Sequence, residues 1–167
     1  MTVVITAIER EDLPKLKEWR NDYAHRRHYR QFRLLSDEMQ EKWFSDLQND
    51  QDTIMFAIRA DGQLVGCCGL TYMHWKNRIA ELSLYTDRYQ SVAYAYDALK
   101  LLVEYGFREL GMHKLWVDVY EFDERKIALC HQFGFILDGV LRDNLWREGR
   151  YWNSHIYSLL EHDRIET

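Results

Sequence analysis

Apolar residues recur with two different periods around the middle of the chain. Between residues 80 and 85 they occupy every second position, which is typical of a half-buried strand. From Val92 to Leu110 they fall on one side of a helix, and Gly111 stands where that helix is expected to end. A strand that runs into a helix presents unpaired backbone N–H groups at the helix start, where the helix dipole also favours anions. The pattern therefore predicts a phosphate site at the start of this helix.

The same reasoning assigns the rest of the chain to strands and helices. Asp61-Gly62 is a two-residue turn typical of a β-hairpin, Ser36 and Asp123 are suitable helix N-caps, and Gly134 is a suitable helix end. The predicted strands are Val3–Ile8, Thr53–Ala60, Gln63–Tyr72, Ala80–Tyr85, His113–Tyr120, Phe135–Arg142 and Tyr151–Leu160. The predicted helices are Glu11–Trp19, Asp37–Leu47, Val92–Leu110 and one from Asp123 to Phe133.

This order of elements predicts an α/β (or α+β) fold. We expect a mixed, mostly antiparallel and twisted sheet of about seven strands with about four helices. With 167 residues, the chain is long enough for one domain with a real core and too short for two comfortable ones. A single domain over residues 1–167 is therefore predicted.

Composition narrows the setting of the protein. Hydrophobic residues make up 47% of the chain, which argues against disorder, and the net charge of −5 argues against general affinity for nucleic acid. The three cysteines show no disulfide or zinc spacing, which suits a reducing cytoplasm. No charged start followed by an apolar run appears, and no apolar stretch approaches the length that spans a membrane. We expect a cytoplasmic protein without a membrane segment.

Three motifs resemble those of the GNAT N-acetyltransferase superfamily. Residues 90–95, QSVAYA, are similar to its pyrophosphate loop Q/R-x-x-G-x-G/A. Residues 123–135, DERKIALCHQFGF, resemble its run N-E-x-A-I-x-L-Y-E-K-x-G-F. Residues 139–143 and 149–153 are similar to the C-terminal part of ribosomal-protein alanine and spermidine N-acetyltransferases. The resemblance covers nearly the whole chain and implies a single-domain GNAT fold.

The resemblance also implies a reaction and a cofactor site. The expected activity is acetyl transfer from acetyl-CoA, the co-substrate, to a primary amine. Residues of the central strand would hold the thioester and the pantetheine arm, and the following loop would hold the pyrophosphate. The cofactor-binding residues that the resemblance implies are Leu82, Ser83, Leu84, Tyr85, Gln90, Ser91, Val92, Ala93, Tyr94, Ala95, Tyr96, Asp123 and Lys126.

Two residues are the implied catalytic groups. Glu81 matches a strand glutamate that relatives use as a base, and its alternative role is a polar strand residue paired with an arginine. Cys130 matches the tyrosine that protonates the leaving thiolate, and a thiol with a pKa near 8.5 is able to donate that proton. The alternative for Cys130 is a small buried hydrophobe. His131 and His74 are further titratable candidates. The sequence departs from the motifs at Cys130 and at Ala93, where the family has glycine.

The acceptor amine remains open between several classes. Residues 19–21, WRN, and 42–44, KWF, look like acetyltransferases of nucleotide-linked amino sugars, which we place first. A polyamine or a ribosomal-protein N-terminus is the alternative that the C-terminal motif favours. The implied partners are a small-molecule amine and, as an open alternative, a second copy in a homodimer.

Two functions without acetyl transfer also stay open, a non-catalytic acyl-CoA-binding domain and a nucleic-acid-associated domain. A nucleic-acid-associated domain would use the basic segment His25–Arg33. The same segment is suited to a phosphorylated ligand, because arginine forks match phosphate oxygens, or to pairing with the acidic remainder of the chain.

Overall fold

The computed structural model describes residues 2–87 and 92–163. In this part of the chain the seven strands are β1 (Val3–Thr6), β2 (Ile54–Ala60), β3 (Gln63–His74), β4 (Ile79–Thr86), β5 (Lys114–Tyr120), β6 (Ile136–Arg147) and β7 (Arg150–Leu160). The five α-helices are α1 (Leu13–Asn21), α2 (Tyr23–Arg26), α3 (Asp37–Leu47), α4 (Val92–Glu104) and α5 (Glu124–Phe133). The predicted fold class is confirmed, and the additional helix α2 is a single turn inside the basic segment.

All seven strands form one sheet in the order β1-β2-β3-β4-β5-β7-β6. Every neighbouring pair is antiparallel except β4 and β5, which run parallel. That parallel pairing covers three positions, from Ile79 opposite Lys114 to Glu81 opposite Trp116. Beyond Glu81 the two strands separate, although β4 remains paired with β3 along its other edge. The sheet therefore has an opening near its centre.

Helices cover the two faces of the sheet, which is why its central strands carry apolar residues on both sides. One core contains Leu70 of β3, Leu102 of α4, Leu115 of β5 and Leu129 of α5. The other core places Leu16 and Trp19 of α1 in a cluster with residues of β2, β3 and β4. Among the described residues, no helix combines the length and the apolar character needed to cross a membrane.

Local signals account for most of the element boundaries. Asp61 and Gly62 both have positive φ, as a two-residue hairpin turn of this kind requires. The Ser36 hydroxyl accepts a hydrogen bond from the N–H of Met39, which starts α3 at the predicted residue. The predicted first strand, Val3–Ile8, ends earlier at Thr6. The helix predicted from Glu11 begins as a 3-10 turn before α1.

Two predicted boundaries were wrong by several residues. The helix expected to continue to Leu110 leaves α geometry after Glu104 and ends in a π-helical turn, Tyr105–Glu109. Gly106 in this turn lies against the sheet, where an added Cβ would come 3.1 Å from a methyl carbon of Leu115. Strand β6, expected to end at Arg142, continues to Arg147. The register of β6 against β7 shifts between Leu141 and Leu145, and the polar residues between them lie in this irregular part of the strand. Asn144 there donates a hydrogen bond to the Ser154 hydroxyl.

Leu115 is expected to carry a large share of the packing between α4 and the sheet, because its side chain is fully buried. Leu115→Ala should lower the free energy of unfolding by about 2–5 kcal/mol through lost burial and the cavity left behind. Leu34→Ala is the matched control, since Leu34 is 64% exposed, and it should change stability by about 0.5 kcal/mol or less. Urea unfolding measures both. Equal midpoints for the two variants would contradict this description of the core.

Candidate functional site

Two connected cavities lie where β4 and β5 separate. The first, of about 180 Å³, lies between the end of β4, the region of α2, and the starts of α4 and α5. The second, of about 520 Å³, extends along β4 and β5 toward the end of α3. Four residues line both cavities: His28, Tyr29, Leu84 and Lys126. A ligand that fills the first cavity can therefore meet a ligand in the second.

The open edge of β4 forms one wall of the first cavity. The Leu84 carbonyl accepts a hydrogen bond from the Tyr29 hydroxyl at 3.3 Å, and the Thr86 carbonyl accepts one from Nε2 of His25 at 3.0 Å. In an antiparallel ladder, alternate residues point both backbone groups away from the partner strand. The N–H groups of Leu84 and Thr86 therefore face the opening as well. This edge fits the amide and thioester groups of the pantetheine arm implied by the sequence motifs.

The first turn of α5 forms the opposite wall. Asp123 is the N-cap of this helix, and its Oδ1 accepts the backbone N–H of Lys126 at 3.1 Å. Its Oδ2 lies 3.0 Å from Nδ1 of His28. Burial raises the pKa of Asp123, but the contact with His28 and the charge of Lys126 outweigh it, so the pKa is lowered overall. Asp123 is thus an ionised carboxylate facing the cavity.

The predicted cofactor-binding residues divide between several locations. The first cavity is lined by Leu84, Tyr85, Ala95, Asp123 and Lys126, and the second by Leu82, Ser83, Leu84 and Lys126. Tyr94 and Tyr96 pack against the core and line neither cavity. Gln90 and Ser91 lie outside the described residues. Val92 and Ala93 belong to the first turn of α4, and their side chains also lie outside the description. The binding roles of all these residues stay predictions.

A cluster of three charged side chains, the buried carboxylates of Glu81 and Asp118 and the partly exposed guanidinium of Arg30, lines the second cavity. Glu81, which is 6% exposed, receives both ends of the Arg30 guanidinium, with Nη1 3.0 Å from Oε2. Nη2 of Arg30 also donates to Oδ2 of Asp118 at 3.3 Å. Burial lowers the pKa of Arg30, but Glu81 and Asp118 outweigh this and raise it overall. Oδ1 of Asp118 is buried and has no hydrogen-bond partner among the described residues.

This cluster bears on the predicted base, Glu81. Both of its carboxylate oxygens are engaged by Arg30, so accepting a proton requires the guanidinium to move. The pairing with an arginine that the sequence left as the alternative role is therefore observed. The catalytic role of Glu81 stays a prediction.

The predicted proton donor, Cys130, is part of the core. It is 3% exposed and lines neither cavity, and burial raises the pKa of its thiol to about 12. His131 and His74, the other candidates, also lie outside the two cavities. Nε2 of His131 is 3.2 Å from the Tyr157 hydroxyl, and Nδ1 of His74 accepts the backbone N–H of Asn77. The donor role of Cys130 also stays a prediction.

Sequence reasoning missed His28, Tyr29, Arg30 and Asp118 as site residues. Three of them belong to the basic segment His25–Arg33, which was singled out for its charge but not for its partners. Much of this charge is paired within the chain, because Arg27 contacts Glu148 at 3.0 Å and Arg30 binds Glu81. The only local signal was the density of titratable and aromatic side chains in one loop.

Comparisons with known proteins agree with this geometry. The family model described as acetyltransferase (GNAT) domain matches residues 5–156. The chain is 28% identical to spermidine N(1)-acetyltransferase of Escherichia coli K12 over 170 residues, a match that covers 98% of this chain and 89% of that relative.

Solved structures show the same fold. Spermidine N-acetyltransferase from Vibrio cholerae, in complex with CoA and spermine, superposes with a TM-score of 0.91 at 21% identity over 96% of each chain. A dodecameric structure of spermidine N-acetyltransferase from the same organism superposes with a TM-score of 0.82 at 21% identity, over 95% of this chain and 94% of that one.

The three cysteines provide a test of the site description, because Cys67, Cys68 and Cys130 are all buried. Burial raises the pKa of Cys67 to about 12 and also raises that of Cys68. At about pH 8 an aromatic disulfide reagent should therefore label almost none of the three thiols in the folded protein. In guanidinium chloride all three thiols should react.

A Ser45→Cys variant is the positive control, because Ser45 is exposed on α3 and its replacement should react at once. Rapid labelling of any native cysteine in the folded parent would contradict the burial of these three thiols.

Proposed function

We propose that this chain acetylates a polyamine. The chain belongs to the GNAT acetyltransferase family and is thus an N-acetyltransferase with acetyl-CoA as its co-substrate. Its acceptor would be a slender chain that carries two or more ammonium groups. The nucleotide-linked amino sugar favoured by the sequence gains no support from the relatives, whereas the polyamine alternative does.

The observation that carries the proposal is the unpartnered oxygen of Asp118. A buried carboxylate oxygen without a donor costs about 1–3 kcal/mol or more for a charged group. Oδ1 of Asp118 has no such donor among the described residues, and Asp118 lines the second cavity. An ammonium group carries three N–H donors and a positive charge. A protonated amine of the acceptor would therefore satisfy this oxygen.

Other charges along the second cavity support the same acceptor. Asp46 at the end of α3 and Asp50 just after it line the cavity, at a distance in the fold from Glu81 and Asp118. Carboxylates placed along a cavity suit a ligand whose positive charges are spaced along a chain. A nucleotide-linked sugar carries negative phosphates, which such a wall would repel. The four carboxylates that line this cavity, Asp46, Asp50, Glu81 and Asp118, outnumber its three cations, Arg20, Arg30 and Lys126.

The reaction places clear demands on the residues of the two cavities. The acetyl donor, when bound, supplies an activated thioester carbon that the acceptor nitrogen attacks. The N–H groups of Leu84 and Thr86 would orient and polarise groups along the open edge of β4. Asp118 would hold a second ammonium, so that the neutral reacting amine stays at the junction of the cavities. The roles of Glu81 as base and of Cys130 as proton donor, which the motif resemblance implies, stay predictions.

We further propose that the protein associates with copies of itself. Strand β6 is an edge of the sheet, and exposed apolar side chains lie on it and on β7, among them Val140, Leu141, Trp146 and Tyr151. Exposed edges and apolar patches of this kind are normally covered.

Self-association predicts a particle mass that is a multiple of the 20.3 kDa chain in light scattering after gel filtration. Trp146→Glu should reduce that mass, because it places a charge among the exposed apolar groups. Lys100→Glu, an exposed position on α4, is the charge-matched control. A parent that elutes at the mass of one chain would contradict self-association.

Acetylation of spermidine and spermine is the expected activity, with amino sugars and N-terminal peptides as competing acceptors. Asp118→Asn should raise the KM for spermidine by about 10- to 100-fold, the value of one charged hydrogen bond. The KM for propylamine, which lacks a second ammonium, should rise much less. Asp138→Asn is the matched control, because Asp138 pairs with Lys114 and lines neither cavity.

An equal rise in KM for spermidine and for propylamine would show that Asp118 acts through Arg30 and not on the distal ammonium. Efficient acetylation of peptides or amino sugars without turnover of polyamines would overturn the proposed acceptor.

A further inference from the structure

His28 stands on the wall that the two cavities share, in a segment for which the sequence suggested no catalytic role. Its side chain is 29% exposed, and Nδ1 lies 3.0 Å from Oδ2 of Asp123. Within residues 2–87 and 92–163, Nε2 makes no hydrogen bond. A carboxylate beside Nδ1 favours the tautomer that carries its proton on Nδ1, and this tautomer leaves the lone pair of Nε2 as a proton acceptor. The ring therefore has the arrangement of an oriented base.

The partner of His28 is itself held in place. Oδ1 of Asp123 caps α5 by accepting the N–H of Lys126, which leaves Oδ2 for the imidazole. The other side of the ring contacts Phe122, with ring centroids 5.5 Å apart. Arg27 lies over the far side of Phe122, 4.8 Å from its centroid. Contacts with two different groups thus fix the direction in which Nε2 points.

The residue type at position 123 is informative. The motif that residues 123–135 resemble has asparagine where this chain has Asp123. Either side chain can cap a helix. An asparagine amide, however, can present an N–H to Nδ1, which would place the ring proton on Nε2 and remove its lone pair. The carboxylate of Asp123 selects the tautomer in which Nε2 accepts a proton.

We propose that His28 is the general base of acetyl transfer and that Asp123 is its positioning residue. The acceptor nitrogen forms a bond to the acetyl carbon while the bond from that carbon to sulfur breaks, and its electron pair leaves with the sulfur. The proton lost by the nitrogen moves to Nε2 of His28 and then to solvent. The sulfur departs as a thiolate, which solvent protonates. This proposal rests on the acetyltransferase activity and not on the polyamine acceptor.

Glu81 is the competing base, and it differs from His28 in the hydrogen bonds that its proton-accepting atoms already make. Both oxygens of Glu81 bind Arg30, whereas Nε2 of His28 is unengaged among the residues that the structure describes. His28 also borders both cavities, while Glu81 lines the second alone. The geometry therefore favours His28 for a proton transfer at the junction of the cavities.

Charged groups of several elements surround the imidazole. Asp123 lies against it, and Lys126 and Arg125 of α5 and Arg20 of α1 line the same cavities. Glu81 and Asp118 are paired with Arg30, and Asp46, Asp50 and Asp87 complete the charged lining. Because a general base works in its neutral form, turnover should fall on the acid side of the pH profile.

The test compares His28→Gln, Asp123→Asn and Glu81→Gln, with His162→Gln as the matched control, since His162 is exposed and lines neither cavity. Turnover is measured against pH with the best amine that the parent acetylates. Acetyl-CoA binding is measured by calorimetry. His28→Asn is a second variant in case the glutamine variant does not fold.

His28→Gln should lower kcat by about a hundredfold or more, the usual contribution of a positioned base. It should abolish the acid limb while acetyl-CoA still binds. Asp123→Asn should lower kcat and alter the acid limb of the pH profile, and His162→Gln should change neither.

Turnover of the His28 variants within a few-fold of the parent would overturn the proposal. So would an acid limb that disappears in Glu81→Gln and persists in His28→Gln. An Asp123→Asn variant with the turnover and pH profile of the parent would overturn the role of Asp123. A parent active only on other amines would remove the polyamine proposal and leave these comparisons decisive.

Discussion

The partial pairing of β4 with β5 is the constraint on which the rest of the site depends. Parallel strands that share three paired positions and then separate leave one edge of β4 without a ladder. Unpaired backbone groups inside a protein need other partners. His25 binds the carbonyl of Thr86, and Tyr29 binds the carbonyl of Leu84. The backbone N–H groups of Leu84 and Thr86 remain directed at the opening. A break in the sheet thereby becomes a binding edge.

The segment between α1 and α3 completes the site that this break opens. It places Arg30 between Glu81 and Asp118, which offsets two buried negative charges that would otherwise repel each other. The compensation is incomplete, because one oxygen of Asp118 keeps no donor among the described residues. The same segment places His28 against Asp123. One segment thus contributes to the charge of the second cavity and places an imidazole on the wall that the two cavities share.

Departures from a family motif gain meaning from the residues around them. Cys130 stands where relatives have a tyrosine, and it packs in the core with a pKa raised by burial. Asp123 stands where relatives have an asparagine, and a histidine from a distant segment lies against it. The first change removes a phenol from one position, whereas the second places a carboxylate beside an imidazole. An activity that continues after such changes must redistribute proton transfer among other side chains.

The sequence by itself determined the architecture of this protein and pointed to several residues that line the first cavity. Hydrophobic period, helix caps and turn residues report local burial and backbone conformation, so seven strands and most helix boundaries followed from them. Motif resemblance identified the family and placed Leu84, Ala95 and Asp123 beside the first cavity. Tertiary structure alone decided that Arg30 meets Glu81, that His28 meets Asp123, and that a π-helical turn seats Gly106 on Leu115. These contacts join segments far apart in the chain, and no local period records which side chains converge when the sheet opens.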